Sequence, residues 1–137
     1  MGTLFTWIVV AIGSAIGGVS RYGVGLVAAR LWGQGFPAGT LLINIVGSFI
    51  IGLFGTLTLA NGAMPASSDM RAFVMIGFCG GFTTFSSFSL QTLELLRAGE
   101  YFQAGLYILL SNALCLAGVF LGYWLATRVG LPAGTER

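Results

Sequence analysis

The chain has 137 residues, 56% of them hydrophobic and 7% charged, against roughly 25% charge in soluble domains, which excludes an ordinary soluble surface. Six basic residues, all arginine, face four acids for a net charge of +2, too little for a phosphate-binding stripe, so nucleic acid is excluded as a partner. There is no histidine, which removes the commonest general base and metal ligand and points away from an enzyme.

A transmembrane helix needs about 20 apolar residues, because the hydrocarbon core is roughly 30 Å thick and each residue rises about 1.5 Å. The first candidate span runs from about Leu4 to Leu31 and carries Arg21. It is too long for a cleaved signal peptide and has no basic residue before the apolar run. Trp32 to Pro37 reads as a loop. A second span, about Ala38 to Ala60, has no charge and stops at Asn61-Gly62-Ala63-Met64-Pro65. Ser67-Ser68-Asp69 then offers caps for a third span, about Met70 to Arg97, which Gly80-Gly81 interrupts. A turn at Ala98-Gly99-Glu100 leads to the fourth, about Tyr101 to Arg128, and the Pro- and Gly-containing tail 130–137 is expected to be mobile. The expected fold is a single all-α integral membrane domain of four transmembrane helices, the third of them broken.

Four spans place Arg71, Arg128 and Arg137 on one side of the bilayer and Arg30 and Arg97 on the other, with Arg21 deeper but nearer that second side. Orientation follows an excess of basic residues in cytoplasmic loops, and this chain has almost none. Two readings stay open: a weak insertion preference, or dual topology with copies paired antiparallel. Twenty-two glycines, including Gly13-xxx-Gly17, Gly77-xxx-Gly81 and Gly118-xxx-Gly122, give small-residue spacings that favour close helix contact and an oligomer. Cys79 and Cys115 lack metal-ligand spacing and read as small hydrophobes.

The polar residues within the spans carry the information. Arg21 is a membrane-depth cation with no acid in its helix; it either snorkels toward the interface or attracts an anion or glues an assembly. Thr40, Asn44 and Ser48 follow an i, i+4, i+8 stripe, and an amide has two donors with which to replace water around an anion or to bond a neighbouring helix. The run from Gly77 to Ser89 is the richest. A helix broken at its glycines frees carbonyls for a small cation. Phe82 and Phe85, spaced i, i+3, lie among the hydroxyls of Thr83, Thr84, Ser86 and Ser87. Ring edges are positive and hold an anion without a trapping charge, although such a stripe also suits lipid or core. Tyr107 and Ser111, then Asn112, extend the hydroxyl path in the fourth span, unless Tyr107 only anchors the interface.

Gly80 to Ser89, with Gly39 to Ser48 and Gly17-Gly18-Val19-Ser20-Arg21-Tyr22, closely resembles the CrcB/Fluc family of fluoride channels, in its bacterial single-domain form, over essentially the whole chain. The resemblance implies a fluoride-selective channel in the inner (plasma) membrane, built as an antiparallel dual-topology homodimer with two pores. Fluoride, the bilayer and a second copy are then the partners. It implies Phe82 and Phe85 as paired pore rings, Asn44 as a pore donor, and Thr83, Thr84, Tyr107 and Ser111 as the polar track. It also implies a structural sodium ion at the dimer centre, held by backbone carbonyls of the third helix, with Gly77 and Gly80 as candidates, and no organic cofactor. Arg21 matches as a motif position only.

A small dual-topology multidrug or cation antiporter is the alternative, but it is expected to carry a carboxylate in the first span, and this one has none. A structural assembly subunit accounts for the glycines but not for the Asn44 stripe or the Phe-hydroxyl run.

Overall fold

The computed structural model describes residues 3–33, 35–59 and 61–130. These form helices α1 (Thr3–Trp32), α2 (Ala38–Leu57), α3 (Ser68–Arg71), a π-helical stretch (Ala72–Phe78), α4 (Cys79–Phe82), α5 (Phe85–Arg97) and α6 (Tyr101–Gly130). Among the described residues there is no strand. The bilayer-length segments are Thr3–Trp32, Ala38–Leu57, Ser68–Arg97 and Tyr101–Val129, and each is apolar enough to cross a membrane. The second ends earlier than expected, at Leu57 rather than near residue 60. The expected mobile tail and Arg137 lie outside the described residues, save for Gly130.

Local chemistry sets the ends of these helices. Gly33, at φ +75°, follows α1 and donates its N–H to the Ala29 carbonyl at 3.0 Å. Thr58 closes α2, and Arg71 completes the stop: its Nη1 donates to the Gly55 carbonyl (2.9 Å) and the Thr58 hydroxyl (2.6 Å). A helix C-terminus presents unpaired carbonyls, so a cation there is well placed. Ser67 caps α3 by accepting from the Met70 N–H at 3.2 Å, as the sequence suggested. Between α5 and α6, Gly99 adopts φ +81° while its N–H bonds the Leu96 carbonyl and that of Glu100 bonds Leu95. This Schellman closure needs a left-handed residue, and glycine adopts that conformation without strain.

Packing divides the bundle into two pairs. One is α1 against the π-helical stretch and α4; the other is α2 against α6. In the first pair glycines face backbone: a Cβ on Gly13 would lie 2.6 Å from the Phe73 carbonyl oxygen, and one on Gly81 2.5 Å from that of Ser14. In the second, Gly118 and Gly122 face Ile45, Phe49 and Leu53 of α2. All three small-residue spacings are therefore used inside one chain. These glycines therefore do not by themselves call for a second copy.

Few large side chains are buried. Tyr107 and Ala104 are fully enclosed with Leu95, and Phe36, Leu41 and Phe88 pack around them. Leu4, Trp7, Val19, Phe102 and Phe120 are exposed, as lipid-facing side chains should be. Both cysteines are free; Cys79 is buried.

Candidate functional site

Two extended residues separate α4 from α5: Thr83 (φ −79°, ψ 160°) and Thr84 (φ −155°, ψ 112°). They lie just beyond Gly80 and Gly81, which are helical. Extended backbone at membrane depth must find polar partners within the protein. Asn44 of α2 supplies two: its Nδ2 donates to the Thr84 carbonyl at 3.1 Å, and its Oδ1 accepts the Thr84 N–H at 2.8 Å. Arg21 of α1 supplies a third, a long 3.4 Å contact from Nη1 to the Thr83 carbonyl. Its guanidinium thus turns toward the third span. The Thr83 N–H and hydroxyl both return to the Cys79 carbonyl, at 2.9 and 2.8 Å. The Thr84 hydroxyl then caps α5 by accepting the Ser87 N–H at 3.1 Å.

Beside this pair lies a cleft of about 420 Å³, walled by α2, the third span and α6. Asn44 and Ser48 line it from α2; Thr83, Thr84, Phe85 and Phe88 line it from the third span; Ser111 and Asn112 line it from α6. Among the described residues, no carboxylate lines it. Ser111 is 7% exposed, and its hydroxyl has no hydrogen-bond partner among the described residues. A buried hydroxyl left unpaired costs on the order of 1–3 kcal/mol, which a polar occupant of the cleft would relieve.

A second cavity of about 520 Å³ opens at one end of the bundle and includes Phe36, Thr40, Gln91, Glu94 and Glu100 in its wall. Tyr107 links the two spaces. Phe88 of the cleft packs on its ring (5.2 Å between centroids), Phe36 of the end cavity meets it edge-on (5.6 Å), and its hydroxyl donates to Gln91 Oε1 at 2.9 Å.

The cleft thus gathers Asn44, Thr83, Thr84, Phe85 and Ser111, with Arg21 bonded to Thr83. Thr40 lines the end cavity, so the Thr40-Asn44-Ser48 stripe is shared between two spaces, while Tyr107 lines neither and packs between Phe36 and Phe88. Phe82 is not among the residues that line the cleft within this one chain. It is buried and stacks on Phe78 at 5.6 Å, because the extended pair breaks the i, i+3 register. The ring beside Phe85 is Phe88, 5.3 Å away, with both residues on α5. The sequence reading missed Phe88 and Gln91, although Phe85, Phe88 and Gln91 repeat every three residues along one helix.

Four bilayer-length helices around a cleft lined by neutral hydroxyl, amide and phenylalanine side chains define a multi-pass membrane protein. A family model described as CrcB-like protein, Camphor Resistance (CrcB) matches residues 8–123, and the chain belongs to that family. Relatives named "Fluoride-specific ion channel FluC" include that of Methylocella silvestris, 52% identical over 95% of this chain and 98% of its own. Two more are those of Paramagnetospirillum magneticum (52%, over 92% and 98%) and Opitutus terrae (50%, over 94% and 98%).

Proposed function

We infer that this protein is a fluoride-selective ion channel. The observation that carries the reading is the unpartnered Ser111 hydroxyl in a carboxylate-free cleft beside Phe85 and Phe88. Fluoride is small and strongly hydrated, so a pore must replace its water with successive donors while binding it weakly enough to release it. Hydroxyls and the positive edges of aromatic rings meet both demands without a fixed counter-charge. Hydrogen fluoride enters cells as a neutral weak acid and dissociates inside, and the channel lets the trapped anion leave down its electrochemical gradient. Such passage forms and breaks no covalent bond, so the protein is not an enzyme. The first span holds no carboxylate to carry a coupled proton, which disfavours the antiporter.

The working unit is an antiparallel dual-topology homodimer with two pores in the bacterial inner membrane. Support comes from the near-even arginine balance and from the open side of the cleft, where Phe85 is 77% exposed and Gly80 is also exposed. A second copy would supply the missing wall.

Between the two copies, a sodium ion suits the Gly80 carbonyl better than that of Gly77. In an unbroken helix the Gly80 carbonyl accepts from the Thr84 N–H, but here that N–H is given to Asn44. Nothing crowds Gly80, whereas Gly77 is pressed against Val10 and Gly13 of α1. The ion would tie the two third spans together through backbone oxygens.

Purified protein in liposomes is expected to pass fluoride far faster than chloride; equal rates would end the reading. Phe85→Ile and Phe88→Ile should each cut fluoride flux at least tenfold with assembly intact. Phe82→Ile should chiefly lower thermal stability, by about 1–3 kcal/mol for a reshaped buried ring. Ser111→Ala separates stability from function: removing an unpaired hydroxyl should leave stability unchanged or raise it by up to about 1 kcal/mol while flux falls. Melting curves and flux assays on the same preparations check both.

A further inference from the structure

At the opposite end from Tyr107 lies an apolar groove of about 400 Å³ lined by Phe5, Val9, Ser67, Asp69, Met70 and Phe73. Phe5 and Val9 stand near the start of α1, while Met70 and Phe73 stand near the start of the third span. In a four-span chain both starts lie at the same membrane face. The groove therefore runs inward from the interface, on a surface open to lipid: Phe5 is 46% and Met70 51% exposed.

Asp69 sits with Ser67 in the wall of this mostly apolar groove and is half-buried. Its Oδ1 accepts the Thr6 hydroxyl at 2.7 Å. Its other oxygen has no donor among the described residues. Nearby Arg71 makes no ion pair with it among the described residues; its Nη1 turns instead to the Gly55 carbonyl and the Thr58 hydroxyl at the end of α2. A half-buried carboxylate held by a neutral hydroxyl, facing a bilayer, calls for a cation that can donate hydrogen bonds.

We propose that this groove is a binding site for a phospholipid with a primary-ammonium headgroup, the ethanolamine type. Its ammonium donates to the free oxygen of Asp69, and an acyl chain lies along Phe5, Val9 and Phe73. A choline headgroup supplies the same charge but no N–H, so it cannot make this bond. A serine headgroup brings its own carboxylate against Asp69. The site lies at the far end from the vestibule of Gln91 and Glu94, and its occupancy is independent of conduction.

The test uses the full-length protein in detergent micelles with added lipids of identical acyl chains, carrying ethanolamine, N-methylated ethanolamine or choline headgroups. Retention is read by native mass spectrometry. Ethanolamine lipid is expected to be retained about tenfold over choline lipid, the order of one charge-assisted hydrogen bond, with retention falling as methyl groups are added. Asp69→Asn should erase the preference while leaving fluoride flux at the level of the unsubstituted protein. Equal retention of ethanolamine and choline lipids would overturn the proposal, and so would an unchanged preference in Asp69→Asn. If that variant does not fold, the headgroup series on the unsubstituted protein still decides. An interchain disulfide formed by Met70→Cys would put a second copy in the groove and also overturn it.

Discussion

Asn44→Leu is expected to abolish fluoride flux and to destabilise the chain by about 2–6 kcal/mol, the sum of two buried groups each left unpaired at about 1–3 kcal/mol. Leucine shares the branched outline and is somewhat larger, so no cavity is left. What disappears is the pair of bonds at 3.1 and 2.8 Å that satisfies both the N–H and the carbonyl of Thr84, a residue only 7% exposed. Without them the extended pair has reason to return to helix, which would turn Phe85 and Phe88 away from Ser111. Asn44→Asp is the informative companion. A carboxylate still accepts the Thr84 N–H but sets a second acceptor against the Thr84 carbonyl, and its charge opposes an anion in the cleft. Its stability should fall less than that of the leucine variant, while its flux is lost as well. Denaturation in micelles and liposome flux give the two readouts; normal flux in Asn44→Leu would remove Asn44 from the machinery.

The second large effect is expected at Gly17. A Cβ there would collide with the Phe78 carbonyl oxygen and stand 2.8 Å from the Phe82 backbone nitrogen. Both obstacles are backbone, so no side-chain rotation relieves them. Gly17→Ala should cost about 3 kcal/mol, the upper end for overpacking, and should loosen α1 from the third span. Its neighbour Gly18 has nothing within 4 Å, and Gly18→Ala should be neutral or stabilise by about 0.5–1 kcal/mol through helix propensity. Melting temperatures of the pair, measured side by side, test the crossing: comparable losses at both positions would show that general intolerance of the helix, not close approach, sets the cost.

The spans were legible in the sequence because apolar length is a strong physical signal, and the turn at Gly99 was marked by glycine. Asn44 stood out because an amide is expensive in an apolar run, although its partner, the backbone of Thr84, leaves no side-chain signature. The break between Phe82 and Phe85 is silent for a related reason. Helical spacing holds only while the helix continues, and the extended residues are threonines, ordinary in either conformation. The π-helical stretch Ala72–Phe78, where the Cys79 N–H reaches back to the Val74 carbonyl, had no sequence mark at all. The small-residue spacings marked contact surfaces that the chain uses internally, and left the partner open, because spacing cannot tell a neighbour in the same chain from one in another.

Thr83 and Thr84 are held by Arg21 and Asn44, which belong to two different helices, both earlier in the chain. A ribosome delivers those helices to the membrane before the third. The extended pair therefore cannot reach its final form on its own: in lipid, each bare amide or carbonyl would cost several kcal/mol until α1 and α2 stand beside it. The order of synthesis matches the order in which the structure needs its parts, and a circular permutation starting at Ser68 would reverse it.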